Sequence, residues 1–234
     1  MSLILNLETS TKVCSVAIGK DGELIALKET DKEKSHSSVI TIFIMEVLSK
    51  AGITLSDLDA IAVSKGPGSY TGLRIGVSTA KGICYGAGLP LIAVCTLQTM
   101  ASGIIDKLKN NQNIKNSWFC PMIDARRMEV YTAFYDYRNN QKTDISADII
   151  SEGSFRKILD KRPVYFFGDG SEKCRDVLKH KNAVFIENIY PDAINMVPLA
   201  IKLFESKKFE NTAYFEPFYL KDFIATVSKK DIYR

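Results

Sequence analysis

The residues best suited to bind a ligand lie in a glycine-rich segment, residues 66–72, which reads GPGSYTG. Successive backbone N–H groups at the start of a helix suit a phosphate or another anion. The segment is not a Walker A loop, because no lysine follows its glycines and Pro67 has no N–H to donate. The alternative is a tight strand-to-helix turn, which the pattern alone favours. The candidate phosphate-facing residues here are Gly66, Gly68 and Ser69.

Two further polar turns could also meet a ligand. Residues 124–127 read DARR and are followed by Glu129. Arginine forks suit phosphate or carboxylate, so this turn could bind a phosphate or a partner, or it could be a solvated hairpin tip with internal ion pairs. Residues 168–170 read GDG and precede a predicted helix. They could form a nucleotide-facing turn, or they could be a plain strand-to-helix connection that needs no ligand.

The sequence offers few residues in an arrangement that could bind a metal or act through a reactive thiol. A helical metal site needs two histidines four residues apart, but His36 is followed at that distance by Ile40. The five cysteines are widely spaced and mostly lie in apolar runs, which is typical of buried reduced thiols. We therefore predict no metal, no intrinsic cofactor and no catalytic residue.

The length, composition and net charge of the chain indicate which broad class of protein it belongs to. With 234 residues, 46% of them hydrophobic and 25% charged, the chain can bury one large core or two small ones. The net charge of +4 permits nucleic-acid contact without demanding it. The chain has no apolar stretch of membrane-spanning length and no basic leader at Met1, so we expect a cytoplasmic protein that does not bind membranes.

The glycine-rich segment lies between a predicted strand at residues 61–63 and a predicted helix at 71–86, for which Ser69 or Thr71 is the expected cap. Gly72, Gly76 and Ala80 recur every four residues, so one face of this helix carries almost no side chain. Glycines disfavour an isolated helix by roughly 1 kcal/mol each. We expect a close backbone approach on this face to compensate.

Around this segment the pattern predicts an α/β fold. Three strands (residues 3–7, 13–18 and 24–29), a helix (37–51), the strand and helix above, a strand (91–94) and a helix from residue 96 fit a ribonuclease-H-like half. This is the repeated unit of the ASKHA fold, shared by actin, sugar kinases and Hsp70-type ATPases. In such folds the first hairpin turn faces nucleotide phosphates, which makes Glu8, Thr9 and Ser10 candidates; the alternative is a simple polar turn.

The polar stretch at residues 107–117 is the predicted boundary between an N-terminal subdomain (1–106) and a C-terminal one (107–234). The predicted elements of the second half are strands at 118–123, 128–135, 148–150 and 164–167, and helices at 155–159, 171–180 and 193–205.

The segment at residues 65–76, KGPGSYTGLRIG, followed by TAKG at 79–82, resembles the signature of the TsaB (YeaZ) family. The resemblance extends to LETST at 7–11, DARR at 124–127 and GDG at 168–170. Two positions depart from the family pattern: Glu8 replaces the usual aspartate and Lys221 a common arginine. The longer Glu8 side chain weakens the case for a ligand at that turn.

The resemblance implies a non-catalytic subunit of the machinery that makes threonylcarbamoyladenosine at adenosine 37 of ANN-decoding tRNAs. It implies a heterodimer with a TsaD-type catalytic subunit, recruitment of a TsaE-type ATPase, contact with tRNA through the complex, ATP or ADP at an interface of the assembled complex, and a homodimer when the chain is alone. It places the partner interface on the two predicted helices, at His36, Val39, Phe43, Val47, Thr71, Gly72, Arg74, Ile75, Gly76, Thr79, Ala80 and Ile83.

Two alternatives come from other classes of protein. One is a stand-alone glycoprotease-like hydrolase or ATPase of the same fold, against which the absent histidine pair and absent P-loop lysine count. The other is a direct RNA-binding module built on Arg126, Arg127 and the aromatic residues that follow them, Tyr131, Phe134, Tyr135 and Tyr137. The strand spacing of these aromatic residues favours a place in a sheet.

Overall fold

Two five-stranded sheets organise the chain in a computed structural model that describes residues 1–30 and 36–221. In the first sheet the strand order is β3-β2-β1-β4-β5. β1 pairs antiparallel with β2 and parallel with β4, as predicted for a ribonuclease-H-like half. These strands are β1 (Leu3–Glu8), β2 (Cys14–Lys20), β3 (Glu23–Thr30), β4 (Ala60–Gly66) and β5 (Leu91–Cys95).

Helices cover both faces of this sheet. One face packs on α1 (His36–Ala51) and α2 (Tyr70–Ala87), which share a core with Leu5, Leu7 and Val63. The other face, formed by small and aliphatic residues such as Ile4 and Ala62, packs on α5 (Ala193–Glu205). The neighbouring helix α3 (Thr96–Leu108) leads into the second half. Both faces of the central strands are therefore buried, which explains their nearly unbroken apolar runs.

The boundaries of α2 follow from its caps. Ser69 is the N-cap residue, since its hydroxyl oxygen accepts a hydrogen bond from the Gly72 N–H at 3.3 Å. Gly88 ends the helix in the left-handed conformation, and its N–H donates to the Cys84 carbonyl. The cap predicted at Ser69 is thus confirmed.

The second sheet has the strand order β10-β9-β6-β7-β8. The large side chains of Phe119, Phe166 and Phe167 are fully buried in its cores. The one α-helix assigned between its strands, α4, has a single turn. The elements are β6 (Trp118–Asp124), β7 (Glu129–Thr132), β8 (Ser146–Ile149), α4 (Arg156–Leu159), β9 (Val164–Phe167) and β10 (Ala183–Ile186).

The predicted helix at residues 171–180 is wrong, and β10 was not predicted. Only a short 3-10 turn forms there, at Glu172–Cys174. Further along the chain, β10 forms and pairs in parallel with β9. Cys174 and Leu178 are buried in the core without a regular helix between them. The pairing of β10 overrides a helical propensity that is always a weak preference.

The C-terminal strap, residues 209–221, returns across the first half. Glu210 bridges the edge strand β5 at Leu91. The Phe218 N–H donates to the Lys65 carbonyl at 2.7 Å, and Lys221 forms an ion pair with Glu129 of β7. The strap therefore ties the end of β4 to the second sheet. Among the helices within 1–30 and 36–221, none is both long and apolar enough to cross a bilayer.

Candidate functional site

Glu8 ends β1 and is fully buried. Its Oε1 accepts hydrogen bonds from the Ser10 N–H at 2.7 Å and from the Ser64 hydroxyl at 2.9 Å. Its Oε2 is buried without a hydrogen-bond partner among the described residues. Burial raises the pKa of this carboxyl, although hydrogen bonds from Ser10, Ser64 and Thr9 oppose the rise. Burial therefore makes ionisation of Glu8 less favourable than that of an exposed glutamate.

The glycine-rich loop closes over the turn that follows Glu8. The Ser69 N–H donates to the Ser10 carbonyl at 2.7 Å, and the Thr9 hydroxyl donates to the Gly72 carbonyl at 2.8 Å. At the far end of the turn, His36 Nε2 lies 2.7 Å from the Thr11 carbonyl oxygen. Loop, turn and the start of α1 therefore form one hydrogen-bonded unit.

This closure places the turn that was predicted to face phosphate beneath the glycine-rich loop. Glu8, Thr9 and Ser10 have no exposed surface, because the loop occupies the space above them. A Cβ added at Gly66 would lie 2.9 Å from the Phe218 carbonyl oxygen of the strap, and Gly66 is also buried. Of the predicted phosphate-facing residues, Gly68 is half-buried and Ser69 is exposed.

The predicted small-residue face of α2 is also directed inward. A Cβ added at Gly72 would overlap the Thr9 carbonyl oxygen, and one at Gly76 would overlap Thr9 Oγ1. Ala80 is buried in the same core. The close backbone approach predicted for this face is confirmed, but it occurs within the chain. Gly72, Gly76 and Ala80 cannot offer a surface to a partner helix.

Three of the predicted interface residues of α1 also face the chain's own core. Val39, Phe43 and Val47 are buried because they pack on the first sheet. His36 is half-buried against the turn, as described above. On α2 the other predicted residues reach the surface: Thr71 and Arg74 are exposed, and Ile75, Thr79 and Ile83 are half-buried.

Other residues of the two helices form an exposed surface that the prediction missed. Ile42 and Met45 of α1 are 45% and 62% exposed, and Tyr85 of α2 is 89% exposed. Gly82 and Gly86 of α2 have no atom within 4 Å of an added Cβ. We call Ile42, Met45, Ser78, Gly82, Tyr85 and Gly86 the α1–α2 surface. Ser78, Gly82 and Gly86 form a second small stripe with the same four-residue spacing, which was the available sequence signal.

The hairpin tip between β6 and β7 presents two exposed arginines, Arg126 and Arg127, with left-handed φ of 71° and 49°. The acidic groups around them have partners inside the chain: Asp124 pairs with Lys173, and Asp169 Oδ1 accepts from the Asp124 N–H at 3.0 Å. Burial raises the pKa of Asp169. Within the described part of the chain, no hydrogen bond or ion pair engages either guanidinium group.

The remaining candidate groups, which are the cysteines, the possible metal ligands and the aromatic run, are buried or are not arranged as a reactive site. All five cysteines are buried, and burial raises the pKa of Cys14 to about 12 and that of Cys84 to about 11. In residues 1–30 and 36–221, no three His, Cys, Asp or Glu side chains group as a metal site would require. Phe134 and Tyr135 are buried, so the aromatic run cannot act as a stacking platform for RNA bases.

Comparison with known proteins gives a consistent result. The family model described as "TsaD: tRNA N6-adenosine threonylcarbamoyltransferase" matches residues 29–229. The tRNA threonylcarbamoyladenosine biosynthesis protein TsaB of Escherichia coli K12 is 32% identical over 231 residues, which cover 95% of this chain and 96% of that protein.

Solved structures confirm the predicted ASKHA fold. YeaZ from Pseudomonas aeruginosa superimposes with a TM-score of 0.80 at 24% identity, covering 94% of this chain and all of that one. An inorganic polyphosphate/ATP-glucomannokinase from Arthrobacter sp. strain KM gives a TM-score of 0.51 at 7% identity, covering 88% and 100%. Because both the family model and the Escherichia coli relative span most of its length, the chain belongs to the TsaB (YeaZ) family of tRNA threonylcarbamoyladenosine biosynthesis proteins.

Proposed function

We propose that this chain is a non-catalytic, cytoplasmic subunit of the complex that forms threonylcarbamoyladenosine at adenosine 37 of ANN-decoding tRNAs. It binds a TsaD-type catalytic subunit as a heterodimer, recruits a TsaE-type ATPase and meets tRNA through the assembled complex. The names of its relatives support the pathway. The division into subdomains at residues 106 and 107 remains part of this proposal.

The observation that carries the partner assignment is the α1–α2 surface. Ile42, Met45 and Tyr85 expose apolar area that the chain's own core does not cover. Gly82 and Gly86 of α2 have no side chains and open space around them, so a second helix can approach the α2 backbone closely. Exposed apolar area of this kind is typical of a protein-protein interface. The same surface accounts for a homodimer when the partner is absent.

The non-catalytic role is supported by the state of the groups that could react. Glu8 is fully buried beneath the glycine-rich loop, and burial raises its pKa. Burial likewise raises the pKa of the Cys14 and Cys84 thiols, which disfavours nucleophilic thiolates. These features count against the alternative, a stand-alone hydrolase or ATPase of this fold.

Phosphate contact is assigned to the hairpin tip. Arg126 and Arg127 are exposed and hold a left-handed backbone that disfavours ordinary side chains. Their guanidinium groups suit the phosphates of ATP or ADP at an interface of the assembled complex, or those of the tRNA.

The test is light scattering after size exclusion, for this chain alone and mixed with the TsaD-type protein of the same organism. The mixture should give a heterodimer that replaces a homodimer. Gly82→Leu places a bulky side chain on the α1–α2 surface without touching the core, and should abolish the heterodimer. Gly153→Leu is the matched control, because Gly153 also has open space around it but lies in the second half.

Two results would contradict the proposal. One is a chain that stays apart from the TsaD-type protein and hydrolyses ATP by itself. The other is a heterodimer that forms equally well with Gly82→Leu and Gly153→Leu, which would move the interface away from the α1–α2 surface.

A further inference from the structure

A cleft of about 530 Å³ lies on the side of the first sheet opposite the α1–α2 surface. Its walls come from the turn after β1, the end of β3, helix α3 and the loop that leads into α5. The volume lies in the range of small-molecule sites. None of the groups discussed for partner or phosphate binding lines it.

The floor of the cleft is apolar and its rim is polar. Met100 and Ile104 of α3, Val13 and Pro191 form apolar walls that suit an aliphatic stem. The charged side chains that line it are Glu29, Asp192 and Lys107. An apolar pocket with a few convergent polar groups is the usual form of a ligand site.

Asp192 is a half-buried, rigidly held carboxylate in this cleft. As the N-cap of α5 it accepts the Asn195 N–H at 2.8 Å on Oδ1 and the Asn195 side-chain amide at 2.9 Å on Oδ2. Desolvation, and then the charge of Glu29, raise its pKa to about 6. The cleft thus places the Asp192 carboxylate beside apolar walls, with the Glu29 carboxylate close enough to act on it.

Beside the cleft, the aromatic ring of Tyr190 already contacts a cation of the chain itself. Lys12 Nζ lies 4.3 Å from the ring centroid of Tyr190, a residue that lines the cleft. Lys107 lies on the α3 wall and is the cationic side chain among the lining residues.

We propose that this cleft binds a small aliphatic molecule through a primary ammonium group, which Asp192 and Glu29 hold while Met100 and Ile104 pack against its stem. Two sources share this chemistry. One is a diamine, and the other is an amino acid whose carboxylate reaches Lys107. A polyphosphate would meet two carboxylates here and is disfavoured. The inference is independent of the proposed partner, since it concerns the opposite side of the first sheet.

The test is calorimetric titration of the full chain at low ionic strength and pH 7.5 with three probes of one length: putrescine, 4-aminobutyrate and butyrate. Putrescine, 4-aminobutyrate or both should bind at one site per chain, and butyrate, which lacks the ammonium group, should not. Glu29→Gln and Asp192→Asn should each weaken binding at least fivefold. Glu23→Gln, on the same strand but outside the cleft, is the matched control and should change nothing.

The variant Lys107→Met distinguishes a diamine ligand from an amino-acid ligand. It should tighten putrescine if the ligand is a diamine, and it should weaken 4-aminobutyrate if a carboxylate reaches Lys107. The proposal is overturned if neither amine binds at millimolar concentration, or if both bind Glu29→Gln and Asp192→Asn as tightly as the unchanged chain. Glu29 is exposed, so Glu29→Gln remains informative even if Asp192→Asn folds poorly.

Discussion

The hydroxyl oxygen of Thr9 lies where a side chain at Gly76 would begin. Thr9 cannot simply turn away, because its hydroxyl donates to the Gly72 carbonyl at 2.8 Å and the residue has no exposed surface. Helix α2 therefore meets the turn after β1 with its backbone. Gly72 and Gly76 of the family signature serve this internal contact.

We expect Gly76→Ala to destabilise the protein by roughly 1–3 kcal/mol, the usual cost of overpacking a filled core. Gly82→Ala is the matched control in the same helix, and there the added methyl meets open space. It should stabilise by about 0.5–1 kcal/mol through helix propensity. Urea unfolding followed by circular dichroism measures both. Equal effects of the two changes would contradict the contact with Thr9.

Glu8→Gln should stabilise the protein at alkaline pH. The pKa of Glu8 is raised above its ordinary value of 4.5, so the stability it contributes is complete below that pH and is lost as pH rises through the raised pKa. Glutamine keeps an acceptor for Ser10 and Ser64 and cannot ionise. The advantage of the variant should grow as pH rises above 4.5 and passes through the raised pKa in unfolding experiments. A variant less stable than the unchanged chain at pH 8 would mean that Glu8 is charged and paired.

Asp192→Asn should remove a second, separate pH dependence. The folded pKa of about 6 lies above the ordinary 3.8, so the contribution of Asp192 is present below pH 3.8 and lost through pH 6. The shift corresponds to roughly 3 kcal/mol at most. Asparagine is also a good N-cap, so α5 should keep its start. Without added amine, the variant should be the more stable protein at pH 7.5 and should lose this advantage near pH 4.

The five thiols should react slowly with Ellman's reagent in the native protein. All are buried, and burial raises the pKa of four of them, Cys14, Cys84, Cys120 and Cys174. In denaturant all five should titrate rapidly. A single thiol that reacts fast in the native state would identify an activated cysteine and reopen the hydrolase alternative.

Much of the fold could be predicted because its signals are local. The Ser69 cap, the apolar runs of β1 and β4 and the 3–4 spacing in α1 each follow from a few neighbouring residues. The helix at 193–205 was predicted at its observed bounds for the same reason. Strand β10 was not predicted because its four residues form a strand by pairing with β9. This pairing leaves no pattern in the local sequence.

The candidate site was harder to predict because it depends on which face of a helix, or which side of a turn, packs against the rest of the chain. Helix α2 has two small-residue stripes, one through Gly76 and one through Gly82, and the sequence treats them alike. Only the position of Thr9 decides that the first faces inward. The burial of Glu8 likewise depends on a loop almost sixty residues away in sequence, held by the bond from Ser69 to Ser10.

The packing of α5 on the first sheet also has a consequence for biosynthesis. The face of that sheet formed by Ile4, Ala62 and their neighbours is covered by residues 193–205. Because β1 begins at Leu3 and α5 at Ala193, a ribosome must add about 190 residues after the start of β1 before the helix that covers it is made. Until then a nascent chain carries an uncovered apolar face, which makes the early strands the part of this protein most dependent on chaperones.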